Sequence, residues 1–257
     1  MHRLLRHEVR ADLELTHYSY SFYRDPHHAH QYEADRFGGA VGRWLLNLET
    51  QTFLELVRPV AGERILDVGT GTGKLIGPLA DAGALVTATD SSEAMLREAA
   101  HRPGLRPEAV RLAVMDGHRL GFPDQSFDAV VSSRVLMHVV DPRAFIAELC
   151  RVSRNRVIVD FPPKSSLNLF LPLLLLLKRR VDPNTHPYKV FRFSEIRRLF
   201  AEQGFRVART HRQLLLPHFV HRRLGRPGLS ERLEALLRAG RLTRWLGAPL
   251  TLVAVRS

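Results

Sequence analysis

The sequence predicts an α/β domain built on a doubly wound, mostly parallel sheet of seven strands. Short apolar runs alternate with helix-like segments from residue 64 onward, the pattern of a parallel sheet covered on both faces. A glycine-rich turn, GTGTG at 69–73, follows the first of these runs, at the place where doubly wound sheets hold their ligands. The 257 residues are ample for one such domain with a sizeable core and short for two.

The elements follow in order. Asp25-Pro26 reads as an N-cap followed by proline at the first helical position, so a helix runs from there to about Phe37. A second helix covers roughly 43–58 and is closed by Pro59 and Gly62. RILDV (64–68) is the first strand, followed by the glycine turn and a helix over 74–82. ALVTAT (84–89) is the second strand, and a helix over 91–100 follows it. VRLAVM (110–115), FDAVVS (127–132) and RVIVD (156–160) are the next three strands, with a helix from Asp141-Pro142 to about Val152 before the last of them. FSEIRRLFAEQGF (193–205) reads as a helix capped by Ser194 and stopped by Gly204. Strands near 206–216 and over PLTLVAVRS (249–257) complete the seven. The organisation expected is an N-terminal helical flap over residues 1–60, then a ligand-binding domain over 61–257. The latter carries helical insertions at about 162–190 and 217–248, the whole forming a single domain.

Composition narrows the setting. No apolar run reaches the ~18–20 residues of a spanning helix, and the N-terminus is charged throughout, unlike a signal peptide. The single cysteine, Cys150, excludes an internal disulfide and suits a reducing compartment, so a cytoplasmic protein is expected. The net charge is +12, and residues 206–245 carry ten arginines against Glu231 and Glu234. Such a face attracts nucleic acid or an anionic membrane surface, or is simply solvated.

ILDVGTGTGKL (65–75) is the sharpest chemical signal. Its glycines leave the backbone free of Cβ atoms, so a ligand can approach the main chain. Asp67 lies two residues before Gly69, and Asp90 ends the second strand, where a carboxylate can accept both ribose hydroxyls of a nucleoside. The spacing excludes two phosphate cradles. A dinucleotide fold needs a glycine where Lys74 stands, and a P-loop needs Ser or Thr where Leu75 stands.

With TATDSSEAML (87–96), MDGHRLGFPDQSFDAVVSS (115–133) and RVLMHVVDPRAFIAELCRV (134–152), this motif makes the chain similar to the class I S-adenosylmethionine (SAM)-dependent methyltransferases. It resembles in particular the small-molecule group that includes the ubiquinone/menaquinone methyltransferases, over about residues 32–204. The resemblance implies a Rossmann-like methyltransferase fold with SAM as cofactor. Asp67, Gly69, Thr70, Gly71 and Gly73 then belong to the loop at the methionine end, and Asp90 matches the ribose ligand. Ser91 and Met95 match the adenine wall, Asp116 with Gly117 the position that reads the adenine amino group, and Ser133 completes the cofactor-binding set. Many relatives carry a Pro-Gly-Gly turn before the fifth strand, where this chain has only SRNR (153–156). VDFPP (159–163) is like the Asp/Asn-Pro-Pro-aromatic motif of base N-methyltransferases but follows the wrong strand, so that reading is rejected.

SAM already carries an activated methyl group, so the protein must align an acceptor, exclude water and, where needed, remove a proton. His138, after the fourth strand, is the candidate base or acceptor-positioning group, with packing on the cofactor as the alternative; His186 and Tyr188 are further candidates. Tyr18, Tyr20 and Tyr32 fit an N-terminal flap or ordinary amphipathic packing. No metal site is expected, since His27, His28 and His30 lack converging partners.

Two segments bear on the acceptor. LNLFLPLLLLLKRR (167–180) lies after the fifth strand, beside the expected transfer site. Residues 229–245 read as a basic amphipathic helix capped by Ser230, with Leu229, Leu233, Leu236, Leu237 and Trp245 on one side and Arg232, Arg238, Arg241 and Arg244 around them. Both suit packing, a pocket for a greasy acceptor, or peripheral contact with an anionic membrane. The expectation is transfer to oxygen or carbon of a small, apolar acceptor: a quinone, isoprenoid, polyketide or lipid-linked intermediate. A catalytically silent SAM-binding module and an RNA methyltransferase are the alternatives; the leucine run argues against nucleic acid.

Overall fold

The computed structural model describes residues 5–6, 22–102, 105–166 and 188–257. The leucine run at 167–180, His186, Tyr18 and Tyr20 lie outside them. The strands are β1 (Leu5–Arg6), β2 (Arg64–Val68), β3 (Leu85–Asp90), β4 (Val110–Val114), β5 (Phe127–Ser132), β6 (Ser153–Phe161), β7 (Phe205–Leu214) and β8 (Ala248–Arg256). They form one sheet in the order β1-β4-β3-β2-β5-β6-β8-β7. The seven expected strands are present, and the two-residue β1 adds a short parallel edge beside β4. β2 to β6 are parallel, and β8 runs antiparallel between β6 and β7.

The helices are α1 (Pro26–Phe37), α2 (Gly39–Val57), α3 (Ile76–Asp81), α4 (Glu93–Ala100), α5 (Pro142–Val152), α6 (Phe193–Glu202), α7 (His218–Leu224), α8 (Pro227–Ala239) and α9 (Leu242–Leu246). Strand alternation sorts side chains to two faces. Ala129 and Val131 of β5 and Ile158 of β6 face a core filled by Phe53 and Leu56 of α2, Ile76 and Leu79 of α3 and Leu96 of α4. Val130 of β5 and Val157 and Val159 of β6 face Phe145 and Leu149 of α5 and Ile196 and Phe200 of α6. Both faces are therefore dry, as a parallel sheet requires. Sequence order reverses at β2, which has β3 on one side and β5 on the other. The carboxyl ends of those strands open into a crevice.

Three local expectations need correction. SRNR is not a turn: Ser153 already pairs with Phe127, so β6 starts directly after α5. Arg256 of β8 replaces the missing turn chemistry, donating through Nη2 to the carbonyls of Cys150 (2.9 Å) and Ser153 (2.5 Å). Ser194 does not cap α6; the N-cap is Arg192, and no side chain bonds there. Ser230 does not cap a helix either. It lies inside α8, which starts at Pro227, and it is buried.

A second arginine closes the other end of the sheet. Arg156 of β6 meets Glu63 through both terminal nitrogens (2.6 and 2.8 Å) and donates to the Val57 carbonyl at the end of α2. Only guanidinium offers this fork. Arg156→Lys keeps the charge but loses the fork and the helix cap. It should lower unfolding stability by about 2 kcal/mol in a urea titration, with little effect on ligand affinity.

Candidate active site

The glycine loop after β2 is held from below and from the side by two aspartates. Asp67 is buried under the loop, and its Oδ2 accepts from Thr70 Oγ1 at 2.7 Å. Asp90, at the end of β3, accepts from the Gly71 amide (2.8 Å) and the Ser92 amide (2.9 Å). The amides of Gly69 and Thr70 both donate to the Thr89 carbonyl (2.8 and 2.9 Å). These bonds hold a left-handed backbone: φ is +70° at Gly69 and +58° at Gly71. A Cβ on Gly69 would fall 2.4 Å from Val135 Cγ2, whereas one on Gly71 would meet nothing within 4 Å. Gly69 is thus fixed by packing, and Gly71 offers a bare backbone to the crevice.

A cleft opens above this loop. Of the residues singled out in the sequence, Gly69, Thr70, Gly71, Asp90, Ser91, Met95, Asp116, Gly117, Ser133 and His138 line it. Asp67 and Gly73 do not. Asp67 acts from beneath, and Gly73 packs where a Cβ would lie 2.8 Å from Ile76 Cδ1. Asp116 Oδ1 accepts from the His118 amide (2.9 Å) and lies 2.8 Å from His118 Nδ1. Ser133 Oγ is buried and finds no hydrogen-bond partner among the described residues. His138 sits in the short 3-10 turn Leu136–His138 and meets Tyr23 edge-on at 6.1 Å. Tyr188 does not line the cleft; burial pushes its phenol up against the pull of Arg134 and Arg36. Tyr32 does line it, edge-on to Tyr23 at 5.9 Å.

The sequence reading missed Tyr23, Arg36, Arg134 and His118 on the wall. Arg134 has φ +65° and donates its amide to Asp160 Oδ1 at 2.5 Å, while its buried Nε meets no partner among the described residues. Asp160 is the acid of VDFPP, so that motif serves to shape the loop after β5. Lys74, the residue that spoils a dinucleotide pattern, also has a structural task. Its Nζ lies 2.7 Å from Glu49 of α2, and both groups are nearly buried. Burial would raise the Glu49 carboxyl, but Lys74, then Arg134, hold it well below the usual carboxylate range. Two further contacts bring the N-terminal segment onto the loops: Thr72 Oγ1 donates to Glu33 of α1 (2.9 Å) and Ser92 Oγ to the Tyr23 carbonyl (2.6 Å). His28 stacks on Phe22 and His30 faces Glu98; no set of three metal-ligating side chains occurs among the described residues.

Burial dominates the electrostatics beneath the loop. It pushes Asp67 up to about 6, against the Thr70 hydrogen bond and Lys74. It also raises Asp90, where the Ser92, Gly71 and Ser91 amides oppose it.

Residues 66–159 match the family model described as a methyltransferase domain. The chain is 45% identical over 105 residues to the demethylmenaquinone methyltransferase of Clavibacter sepedonicus, covering 40% of this chain and 42% of that protein. It is 36% identical over 118 residues to the chloroplastic magnesium protoporphyrin IX methyltransferase of Arabidopsis thaliana, covering 45% and 38%. The chain thus spans less than half the length of these curated relatives. Among solved structures it is similar to magnesium protoporphyrin IX methyltransferase from Synechocystis PCC 6803 with bound SAH. The TM-score is 0.63 and the identity 24%, over 92% of this chain and 97% of that one. At that identity the likeness establishes the fold, a mostly parallel sheet flanked by helices of the class I methyltransferase type.

Two outcomes test the site. Asp90→Ala and Gly71→Val should each weaken binding of SAM by about 10- to 100-fold in calorimetry, the first by removing a charge-assisted acceptor and the second by straining and filling the loop; unchanged affinity in both would refute the assignment. Asp67 generates a pH signature. Its folded-state pKa of about 6 lies above the ordinary 3.8, so the neutral acid favours the fold at low pH. That advantage is lost as pH rises from about 4 through 6. Relative to Asp67→Asn, the ligand-free wild type should lose up to about 3 kcal/mol across that window in denaturant titrations.

Proposed function

We propose that this chain, whose residues 66–159 match the model of a methyltransferase domain, transfers the methyl group of SAM to an oxygen or carbon of a small, apolar acceptor. The observation that carries the reading is the cleft itself: a bare left-handed backbone at Gly71, set beside the Asp90 carboxylate at the sheet's reversal point. The names of the partial relatives support it, and so does the SAH held by a protein of the same fold.

The residues present fit such a cofactor. Asp90 at the rim is a carboxylate acceptor for ribose hydroxyls, already oriented by the Gly71 and Ser92 amides. Met95 and Ser91 supply the wall for a flat base, with Asp116 and Gly117 at its edge. The open approach at Gly71 and the buried Ser133 hydroxyl suit the polar amino-acid end, above the Asp67 carboxylate. When bound, SAM supplies the activated methyl group. The chain's own part is to align the acceptor in line with it, keep water out and hold any proton released. Tyr23 and Tyr32 line the cleft beside His138, which is the group to take that proton or position the acceptor. Arg134, with an unpartnered buried Nε, favours an acceptor that brings an oxygen to an otherwise apolar body.

An apolar acceptor belongs to a lipid phase, so the reading includes a cytoplasmic protein in peripheral contact with an anionic membrane. Among the described residues no helix is long and apolar enough to cross one. Radiolabelled SAM supplied to the purified chain with a lysate containing membranes should yield label that partitions into organic solvent. Label confined to the aqueous phase would overturn the apolar acceptor, and no transfer at all would overturn the activity. His138→Ala should lower turnover at least about 100-fold while leaving SAM affinity unchanged; unaltered turnover would remove it from the mechanism.

A further inference from the structure

α8 and α9 expose apolar side chains on their outer face while burying polar ones beneath. A surface helix ordinarily buries its apolar stripe and exposes the polar one. Here Ser230 and Glu234 of α8 and Thr243 of α9 are buried. Leu233 and Leu237 are half-buried beside them, but the remaining large apolar side chains project: Leu229 is 42% exposed, Leu236 70%, Leu242 45%, Trp245 68% and Leu246 38%. Two other large hydrophobics are exposed among the described residues, Val60 and Leu85. Five of the seven therefore crowd into eighteen residues, which marks a patch rather than scatter.

The inner face explains why the helices nevertheless stay in place. Glu234 accepts from the amides of Leu215 and Leu216, both at 2.9 Å, and stands 3.2 Å from Nε2 of the buried His221 on α7. Arg238 donates to the Gln213 carbonyl at the end of β7. Polar anchors, with the half-buried Leu233 and Leu237, thus hold α8 to the sheet, and the exposed Leu229 and Leu236 are not part of that face. Leu229 and Leu236 lie seven residues apart, on one face of α8, while Leu242, Trp245 and Leu246 share one side of the short α9. Around them are Arg232, Arg241 and Arg244, all exposed, and the Arg244 guanidinium lies 6.0 Å from the Trp245 ring centre. The only exposed acid on α7 to α9 is Glu231.

We propose that the α8–α9 face docks on an anionic lipid bilayer, with the leucines and Trp245 in the headgroup boundary and the arginines on the lipid phosphates. Arginine charge selects this occupant. A second copy would set the same cations against one another, and nucleic acid would leave the leucines and tryptophan unused. The inference names the surface for the membrane contact included in the functional reading, and it holds whatever the acceptor proves to be.

Sedimentation with vesicles tests it directly. The intact chain should co-sediment with vesicles of phosphatidylcholine mixed with about one-third phosphatidylglycerol, bind pure phosphatidylcholine at least about tenfold more weakly, and be released by salt. Leu236→Asp/Trp245→Asp should lose about tenfold or more of that binding, and Arg241→Gln/Arg244→Gln should lose most of its preference for the anionic vesicles. None of the four residues lines the cleft, so SAM affinity should be unchanged and will confirm folding. Equal sedimentation of wild type and both variants overturns the proposal. So does a dimer in light scattering that Leu236→Asp/Trp245→Asp dissolves without vesicles present, which would assign the face to a second copy. Binding to single-stranded RNA that survives the leucine and tryptophan changes, without vesicle binding, would assign it to nucleic acid. Loss of SAM binding or methyl transfer would bear on the functional reading instead.

Discussion

Everything at the cleft depends on one constraint: a left-handed glycine loop held in register by two carboxylates from neighbouring strands. Asp67 of β2 grips the loop through the Thr70 hydroxyl, and Asp90 of β3 grips it through the Gly71 amide. The strands are parallel neighbours, with Asp67 opposite Ala88 and Val68 opposite Thr89. The sheet's own pairing therefore sets the distance between the two clamps. A backbone in this conformation is costly for any residue with a Cβ and easy for glycine. The loop can be rigid without hydrophobic packing on its outer side, and that side stays open for a ligand.

The surroundings of the loop are more polar than a core usually is. Glu49, Asp160, Asp67 and Asp116 are all buried close to the cleft. Burying a carboxylate is expensive unless donors or cations meet it. Each is met: Glu49 by Lys74, Asp160 by the Arg134 amide, Asp67 by Thr70 and Asp116 by His118. These contacts join α2, the loop after β5 and the segment after β4 to the carboxyl ends of the strands. The result is a cleft whose walls come from distant parts of the chain but are tied together by directional bonds.

The sheet and the glycine loop were legible in the sequence because their signals are local. Alternating apolar runs mark strands, and GTGTG between RILDV and a helix marks a tight turn over the sheet's end. Ten of the twelve residues expected at the cofactor or as the base line one cleft because a doubly wound sheet collects strand ends there. What escaped was long-range. Nothing near SRNR announces that Arg256, about a hundred residues later, will satisfy its carbonyls, so the segment read as a turn. Ser194 and Ser230 carry good capping chemistry, but the N-caps of α6 and α8 are Arg192 and Arg226, two and four residues earlier. In α8 the expected apolar side is split: Leu233 and Leu237 are half-buried, while Leu229 and Leu236 are exposed. Glu234 binds two backbone amides and so turns inward, where hydropathy would have placed leucine. Arg36 and Tyr23 line the cleft from the N-terminal segment, for which the sequence suggested a flap but not which of its side chains would face the cleft.

The Lys74–Glu49 pair has a thermodynamic meaning beyond its geometry. It bonds the residue after the last loop glycine to the middle of α2, in a place from which water is nearly excluded. A loop and a helix joined this way cannot fluctuate independently. Any free energy a ligand spends on quieting the loop is also spent on α2, and by reciprocity any loosening of α2 is felt as weaker binding. Affinity at this cleft is therefore a property of the helix behind it as much as of the residues that touch the ligand.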